Sequence, residues 1–409
     1  MDVRPFDAER DSKAVHRIWR EVGWLQEDKT EQQDLLLSCS RATVVEHEGT
    51  AECLVLSTPA EIRYAETDLP ATAVTGVTTS LVARRLGYAA RALAERLMED
   101  ARDGAAVAGL GIFDQGFYDR LGFGTGSYEP YILFDPADLR IPAPSRSPKR
   151  VEVSEWQAMH ASRLARWRGH GAWSLLPAQV THSQALGTRN GLGLGFHDGP
   201  DGHLSHWLWL SASDREHGPY NVPALVYRDG RELLELLGVL KSLGDQIHRV
   251  DMTEPFCLQL QDLIEEPFAN RRRTSGGKMA QGMHAAAYWQ VRILDLEACV
   301  AAMHLRGGTM RLNLTLRDPI ERYLNDDTAW RGIGGAYTLT LGQESSITSG
   351  HTPGLPELAA SVGAFSRMWL GVRSASSLAL TDELEGPCEL LAMLDEALRL
   401  PMPRLDWGF

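Results

Sequence analysis

Apolar residues recur along this chain with two different periods, and the switches between them set out an order of elements. Near the start, VRPF reads as a short strand, and Val15, Ile18, Trp19 and Val22 then fall at helical spacing before Gly23, which can end the helix. Alternating runs follow. ATVVEHEG turns at Gly49 into AECLVLSTPAEIRYAE, and LPATAVTGVTTS continues the strand-rich block. Helical spacing returns at Leu86, Ala90, Leu93, Leu97 and Ala101, with Gly104 placed to end the helix in a left-handed turn. AAVAGLGIF is then a candidate buried strand, Asp114 can cap a short helix carrying Phe117, Tyr118 and Leu121, and SYEPYILF adds a strand.

The segment FDPADLRIPAPSRSPKR, dense in Pro, Ser and charge, places a boundary at about residues 136 to 150. A second α/β unit starts at VEVSEWQAMH. Its clearest features are the strand HLSHWLWLSAS and the segment VPALVYRDGRELLELLGVLKSLGDQIHRVDM, which reads strand, helix, strand. The last third opens at YWQVRILDLEACVAAM, runs through MRLNLTLRD and AYTLTLG, and closes with helices predicted from about Leu355 and Glu383, an α+β pattern.

Composition narrows the class. At 409 residues the chain is too long for one ordinary core, and 44% hydrophobic with 23% charged residues is a folded balance. No apolar run approaches the ~18 residues of a membrane span, and MDVRPFDAERDSK lacks a signal-peptide core, so a cytoplasmic protein with no membrane partner is expected. The five cysteines are scattered and never paired as CxxC, which indicates neither a disulfide framework nor a zinc site. A net charge of −13 argues against nucleic acid and favours cationic small molecules.

One place combines a strand end, a glycine and two cations. In GVTTSLVARRLGYAARALAERL, residues 76 to 97, an alternating Val/Thr run gives way to Arg84, Arg85 and Gly87, and a helical pattern follows at once. A helix N-terminus presents unpaired N–H groups and partial positive charge, Gly87 lets the backbone approach an anion closely, and the arginines add charge. The ligand these residues point to is a pyrophosphate. The spacing Arg84-x-x-Gly87-x-Ala89 between strand and helix resembles the acetyl-coenzyme A loop of the GNAT superfamily of N-acetyltransferases. Downstream, FYDRLGFGTG stands where the Eis (enhanced intracellular survival) family has a stretch of the type IYxRFGYGxA. YWQVRILDLEACVAAM, FSRMWLGVRSASSLAL and the ending PMPRLDWGF also resemble that family, in order, over essentially the whole chain.

The resemblance implies tandem GNAT-like domains, 1–145 with the acetyl-CoA site and 146–288 degenerate, followed by a sterol-carrier-protein-like domain, 289–409, and a homo-oligomer of hexameric form. It implies an acetyl-CoA-dependent N-acetyltransferase acting by direct transfer, through a tetrahedral intermediate, on a primary amine of aminoglycoside, polyamine or lysine type. Carried over position by position, strand contacts to the pantetheine arm fall on Val77, Thr78 and Thr79, with the Val77 amide able to stabilise an oxyanion. Phosphate contacts fall on Arg84, Arg85, Leu86, Gly87, Tyr88, Ala89 and Ala90, and Phe113 and Asp114 lie near the thioester end. Tyr118 matches the general acid, and the base is the terminal carboxylate, here that of Phe409. Gly408 replaces an acidic residue common before the terminal aromatic, with Asp406 two positions earlier, and Phe113 replaces a polar residue; both weigh against large polycationic aminoglycosides.

Two alternatives share these features: an acyltransferase of natural-product tailoring using another acyl-CoA, and a noncatalytic ligand-binding or scaffold protein suggested by the last domain. Other signals carry less. The glycines of NGLGLGFHDG do not fit GxGxxG, His203 and His206 have no third metal ligand at useful spacing, and RRR at 271 to 273 reads as a solvated loop.

Overall fold

A computed structural model describes residues 2–25, 30–112, 116–142, 145–265, 280–306 and 308–409. The first sheet runs Asp2–Pro5, Arg41–His47, Thr50–Tyr64, Thr67–Thr79, Val107–Gly111, Trp289–Ile293 and Gly124–Thr125, with Trp173–Leu175 also paired to Thr50–Tyr64. Alternation along its strands divides two helices between its faces. Val44, Leu54 and Leu56 meet the helix Ala8–Glu21, whereas Val45, Cys53 and Val55 meet the helix Tyr88–Arg102. That second helix is the crossover joining Thr67–Thr79 to Val107–Gly111, the parallel pair in an otherwise antiparallel sheet.

A second sheet repeats the device. Its order is Gly282–Ala286, Glu129–Phe134, Val250–Thr253, Tyr220–Val226, His206–Ala212, Leu192–Phe196 and Lys149–Val151, and its parallel pair, Tyr220–Val226 with Val250–Thr253, is joined through the helix Gly230–Lys241. The third sheet, Ser346–Ser349, Gly335–Leu341, Met310–Arg317, Glu357–Ser361 and Leu384–Glu385, belongs to the final α+β unit. The fold is thus mixed α/β, with two sheets of like construction followed by a smaller one.

Several elements fall elsewhere than the local pattern predicts. The strand within SYEPYILF pairs with Val250–Thr253 and Gly282–Ala286, so it leaves the first sheet for the second. Trp289–Ile293, the predicted opening of the last unit, is inserted in the first sheet between Val107–Gly111 and Gly124–Thr125. All five of its residues are buried, which explains an apolar run interrupted by Gln290 and Arg292. Arg292 pairs with Asp318 at 2.8 Å and the Gln290 amide N–H donates to Asp119 at 2.7 Å, whereas the Gln290 side-chain oxygen is buried with no hydrogen-bond partner among the described residues. The helix predicted from Leu355 is instead the strand Glu357–Ser361 followed by the helix Val362–Trp369, capped by the Ser361 hydroxyl. Parallel pairing with Met310–Arg317 overrides the local helical preference of LPELAA.

A single hydrophobic cluster runs from the first sheet into the final unit, joining Ile62, Trp173 and Val291 to Leu314, Trp369 and Trp407. The chain's end is part of it. The Arg404 N–H donates to the His170 carbonyl at 2.9 Å, the Leu405 N–H to a Glu129 carboxyl oxygen at 2.9 Å, and the Trp173 N–H to the Leu405 carbonyl at 3.2 Å. Arg166 holds Asp406 through two bonds of 2.9 and 3.1 Å, and Gln184 takes the Trp407 indole N–H at 3.1 Å while donating to the Gly408 carbonyl at 3.0 Å. Leu405 and Trp407 are fully buried, each contributing about 1.5–3 kcal/mol by leaving water.

Burial pushes the Glu129 carboxyl from 4.5 up to about 7. The folded protein therefore keeps this proton over a window in which the unfolded chain has lost it. The associated stability is complete below pH about 4.5 and is lost as the pH climbs to about 7. Glu129→Gln, which still accepts from Leu405, should gain on the wild type across that window, by up to about 3 kcal/mol between pH ~5 and ~8 in urea midpoints. A difference that stays constant with pH would show that burial of this carboxyl is not what shifts it.

Candidate active site

The site begins with an irregularity in the strand Thr67–Thr79. Leu54 is opposite Thr78 but Leu56 is opposite Thr75, so Gly76 and Val77 together face Val55. Gly76 has φ +61°, and a side chain there would meet Leu56 at 2.9 Å; this bulge needs glycine for both reasons. The parallel pairing with Val107–Gly111 covers Ala71↔Val107 to Val74↔Leu110 and stops. Beyond it the Ile112 N–H turns away to the Tyr288 carbonyl at 2.6 Å. A fork opens between the two strands. Val77, Thr78 and Thr79 lie on one arm, and among the described residues no strand fills the gap, so an extended ligand arm can pair there as an added strand.

From the fork the chain enters the loop of the two arginines. The Ser80 N–H donates to Glu52 and the Leu81 N–H to the Glu21 carboxylate at 2.9 Å each, and Ala83 is buried, which fixes the loop at its base. Its far side is open. Arg84, Arg85, Leu86 and Gly87 are exposed, and among the described residues neither arginine has an ion-pair partner. Arg85 and Gly87 both have left-handed backbone, φ +64° and +78°, with open space where a Gly87 Cβ would lie. The helix Tyr88–Arg102 starts with no side-chain cap and no acidic residue in its first turn, leaving the amides of Tyr88, Ala89 and Ala90 without the usual carboxylate. Tyr88 presents only backbone to the loop, because its ring is buried and its hydroxyl meets His47 Nδ1 at 2.8 Å. Arg91, exposed in the same first turn, adds a third cation that local spacing did not single out. Exposed arginines, left-handed backbone and an uncapped helix fit a diphosphate.

Tyr118 lies in the short 3-10 helix Tyr118–Leu121, buried to 5%, with edge-on contacts to Phe117 and Phe123. It shares a cluster with Tyr88, Leu93, Ala108 and Leu110, so its ring is on the same face of the sheet as the uncapped helix, with Val77 and Ala89 at the margin of that cluster. Phe113 and Asp114 lie outside the described residues, as does the run at 271 to 273.

Phe409 approaches the same strand from the other face. Its ring packs on Trp173 at 5.1 Å, and a Cβ at Gly109 would meet that ring at 3.2 Å. A Cβ at Gly111 would meet its terminal oxygen at 3.2 Å. The sequence VAGLG therefore turns Ala108 and Leu110 toward Tyr118 and keeps Gly109 and Gly111 bare for the chain's end. Among the described residues no cation pairs with the terminal carboxylate. Trp173 and Gln184, which seat the terminus, carry no local signal; only the tertiary fold brings them within reach.

His206 does acquire neighbours that spacing hides. Asp198 and Glu235 come within 4.8 Å of its ring nitrogen and of each other. Arg146 already bridges them, donating to Glu235 at 2.7 Å and Asp198 at 2.8 Å, which makes the group an ion-pair network. His203 stands apart in an exposed turn. No helix among the described residues is long and apolar enough to cross a membrane.

Comparison with known proteins bears on the fold and on the first part of the chain. Residues 2–126 match the family described as acetyltransferase (GNAT) domain. A probable N-acyltransferase of unknown function from Enterococcus faecalis V583 superposes with a TM-score of 0.80 at 17% identity, covering 100% of this chain and 99% of its own. A GCN5-related N-acetyltransferase from Anabaena variabilis gives 0.79 at 14%, and Eis1 from Mycobacterium abscessus 0.77 at 17%, each covering 100% of both chains. At these identities the likeness is one of fold. A sequence comparison with curated proteins gives no match. GNAT enzymes use acetyl-CoA, and with a GNAT acetyltransferase domain in residues 2–126 this chain is an acyltransferase.

Proposed function

We propose that the chain is an N-acetyltransferase of the Eis type, transferring acetyl from acetyl-CoA to a primary amine of a small molecule. One observation carries the reading: the fork between Thr67–Thr79 and Val107–Gly111 has the anion-binding loop at one arm, Tyr118 on one face and the terminal carboxylate on the other. By the same resemblance we propose the degenerate second GNAT domain, the sterol-carrier-like third and a hexameric assembly.

Coenzyme A supplies a thioester carbonyl as electrophile and a thiolate as leaving group. Arg84, Arg85 and the amides of Leu86 to Ala90 would hold its diphosphate, and the backbone of Val77 to Thr79 would orient its pantetheine arm. The Val77 N–H is the donor for negative charge developing on the carbonyl oxygen. Tyr118 delivers a proton to the departing sulfur. The Phe409 carboxylate accepts the amine's proton, directly or through water, so that a neutral nucleophile attacks.

Tyr118→Phe should lower kcat by about 10²–10⁴ with coenzyme A affinity retained, measured as thiol release over an amine panel together with calorimetry. Unchanged kcat would remove the phenol from the mechanism. Appending one alanine after Phe409 displaces the carboxylate from Gly111 and should abolish turnover while leaving thermal stability near wild type; a fully active extended chain excludes the terminal base. The double variant Arg84→Ala/Arg85→Ala should weaken coenzyme A binding about 10-fold or more at low salt and less at high salt. Equal affinity at low salt would move the diphosphate elsewhere.

A further inference from the structure

The parallel pair of the second sheet also parts. Tyr220–Val226 and Val250–Thr253 pair only from Tyr220↔Val250 to Val222↔Met252. Where they separate there is a cavity of about 90 Å³, walled by 223–226 and 253–256. Its charged lining is Glu129, Arg163, Arg166, Glu254, Arg404 and Asp406.

These groups do not balance. Arg166 is satisfied by Asp406 through two hydrogen bonds. Arg404 Nη2 lies 3.9 Å from Glu254, but its Nη1 is buried with no hydrogen-bond partner. Arg163, only 6% exposed, has neutral direct partners: the Gln184 amide oxygen at 2.8 Å and the face of Trp407 at 3.7 Å. Burial and the neighbouring Arg166 act against its charge and the nearby Asp406, already hydrogen-bonded to Arg166, acts for it; a guanidinium keeps its proton in proteins. Glu129 accepts the Leu405 N–H, Asp406 is held by Arg166 and Glu254 lies 3.9 Å from Arg404, which leaves Arg163 with no carboxylate in direct contact and Arg404 Nη1 with no acceptor among the described residues. A buried cation without a counter-charge is costly, and the chemistry that relieves it is an oxyanion with lone pairs for Arg163 and Arg404.

We propose that this cavity takes the carboxylate of the acceptor, so that the substrate is an amine that also bears a carboxylate, such as a lysine-type amino acid. The assignment rests on the acyltransferase reading and adds the acceptor's class. The cavity is close to the base in that reading. Asp406 lines it and Phe409 is three residues on, a Cα separation of at most about 11 Å. Gln184 links Arg163 to the Trp407 indole and the Gly408 carbonyl, so a ligand held by Arg163 is coupled to the segment that positions the terminus.

L-lysine and cadaverine offer the same terminal amine, and only lysine has the carboxylate. Calorimetry on the full chain should find lysine bound about 10-fold or more tighter than cadaverine, an advantage lost in Arg163→Gln and in Arg404→Gln. Coenzyme A binding in both variants reports that they are folded, and if Arg163→Gln does not fold, Arg404→Gln alone must show the loss. Equal affinity for the two amines, no measurable lysine binding, or an advantage that survives both substitutions overturns the site. Inorganic phosphate binding more tightly than lysine overturns the carboxylate assignment. Failure to consume acetyl-CoA with either amine, while the lysine preference and its dependence on Arg163 persist, would refute the enzyme reading and leave the oxyanion site intact.

Discussion

Parallel strands share hydrogen bonds only while they stay about 4.8 Å apart, and the bulge at Gly76 ends that condition for Thr67–Thr79 and Val107–Gly111 after Val74 and Leu110. Much else follows from this parting. It frees backbone on one arm for an extended ligand, aims the chain into the loop of Arg84 and Arg85, and starts the helix at Tyr88 where its bare amides face solvent. A regular strand would have zipped the sheet closed and left neither slot nor helix end. The left-handed Arg85 beside Gly87 is strain of order 1 kcal/mol or more, located where an anion would be held.

The second constraint is the bareness of the neighbouring strand. A side chain at Gly109 would collide with Trp173 at 2.6 Å, and one at Gly111 would crowd the terminal oxygen at 3.2 Å. The chain's last residues thereby become part of the first sheet's wall although they come from the far end of the sequence. Strand exchange works in the same direction: Glu129–Phe134 leaves the first sheet for the second, and Trp289–Ile293 enters the first on its way to the third. These crossings, the continuous hydrophobic cluster and the hydrogen bonds to Leu405 and Gly408 tie the chain's last residues to the fork through several independent anchors.

Local elements were largely legible. Helical spacing marks Ala8–Glu21 and Tyr88–Arg102, Gly23 and Gly104 stand in left-handed backbone just beyond them, Gly49 does so in the hairpin between Arg41–His47 and Thr50–Tyr64, and strand, helix, strand is correct for the second unit. The helix Glu31–Cys39 escaped notice because none of its residues is buried, leaving no apolar stripe. Glu357–Ser361 misled because its sequence suits a helix and only a partner strand makes it extended. The exposed loop of the two arginines before the uncapped helix was readable from residue type and spacing, since it is one contiguous stretch.

What the sequence determined by itself is therefore what contiguous residues settle among themselves: periodicity, caps, the glycine turns and the cationic loop before a helix. Tertiary structure decided which sheet each strand joins, which residues seat the terminus, and that Arg163, Arg404 and Glu129 share one cavity. Those outcomes depend on pairing and burial between segments more than a hundred residues apart, and neither leaves a period or spacing in the chain.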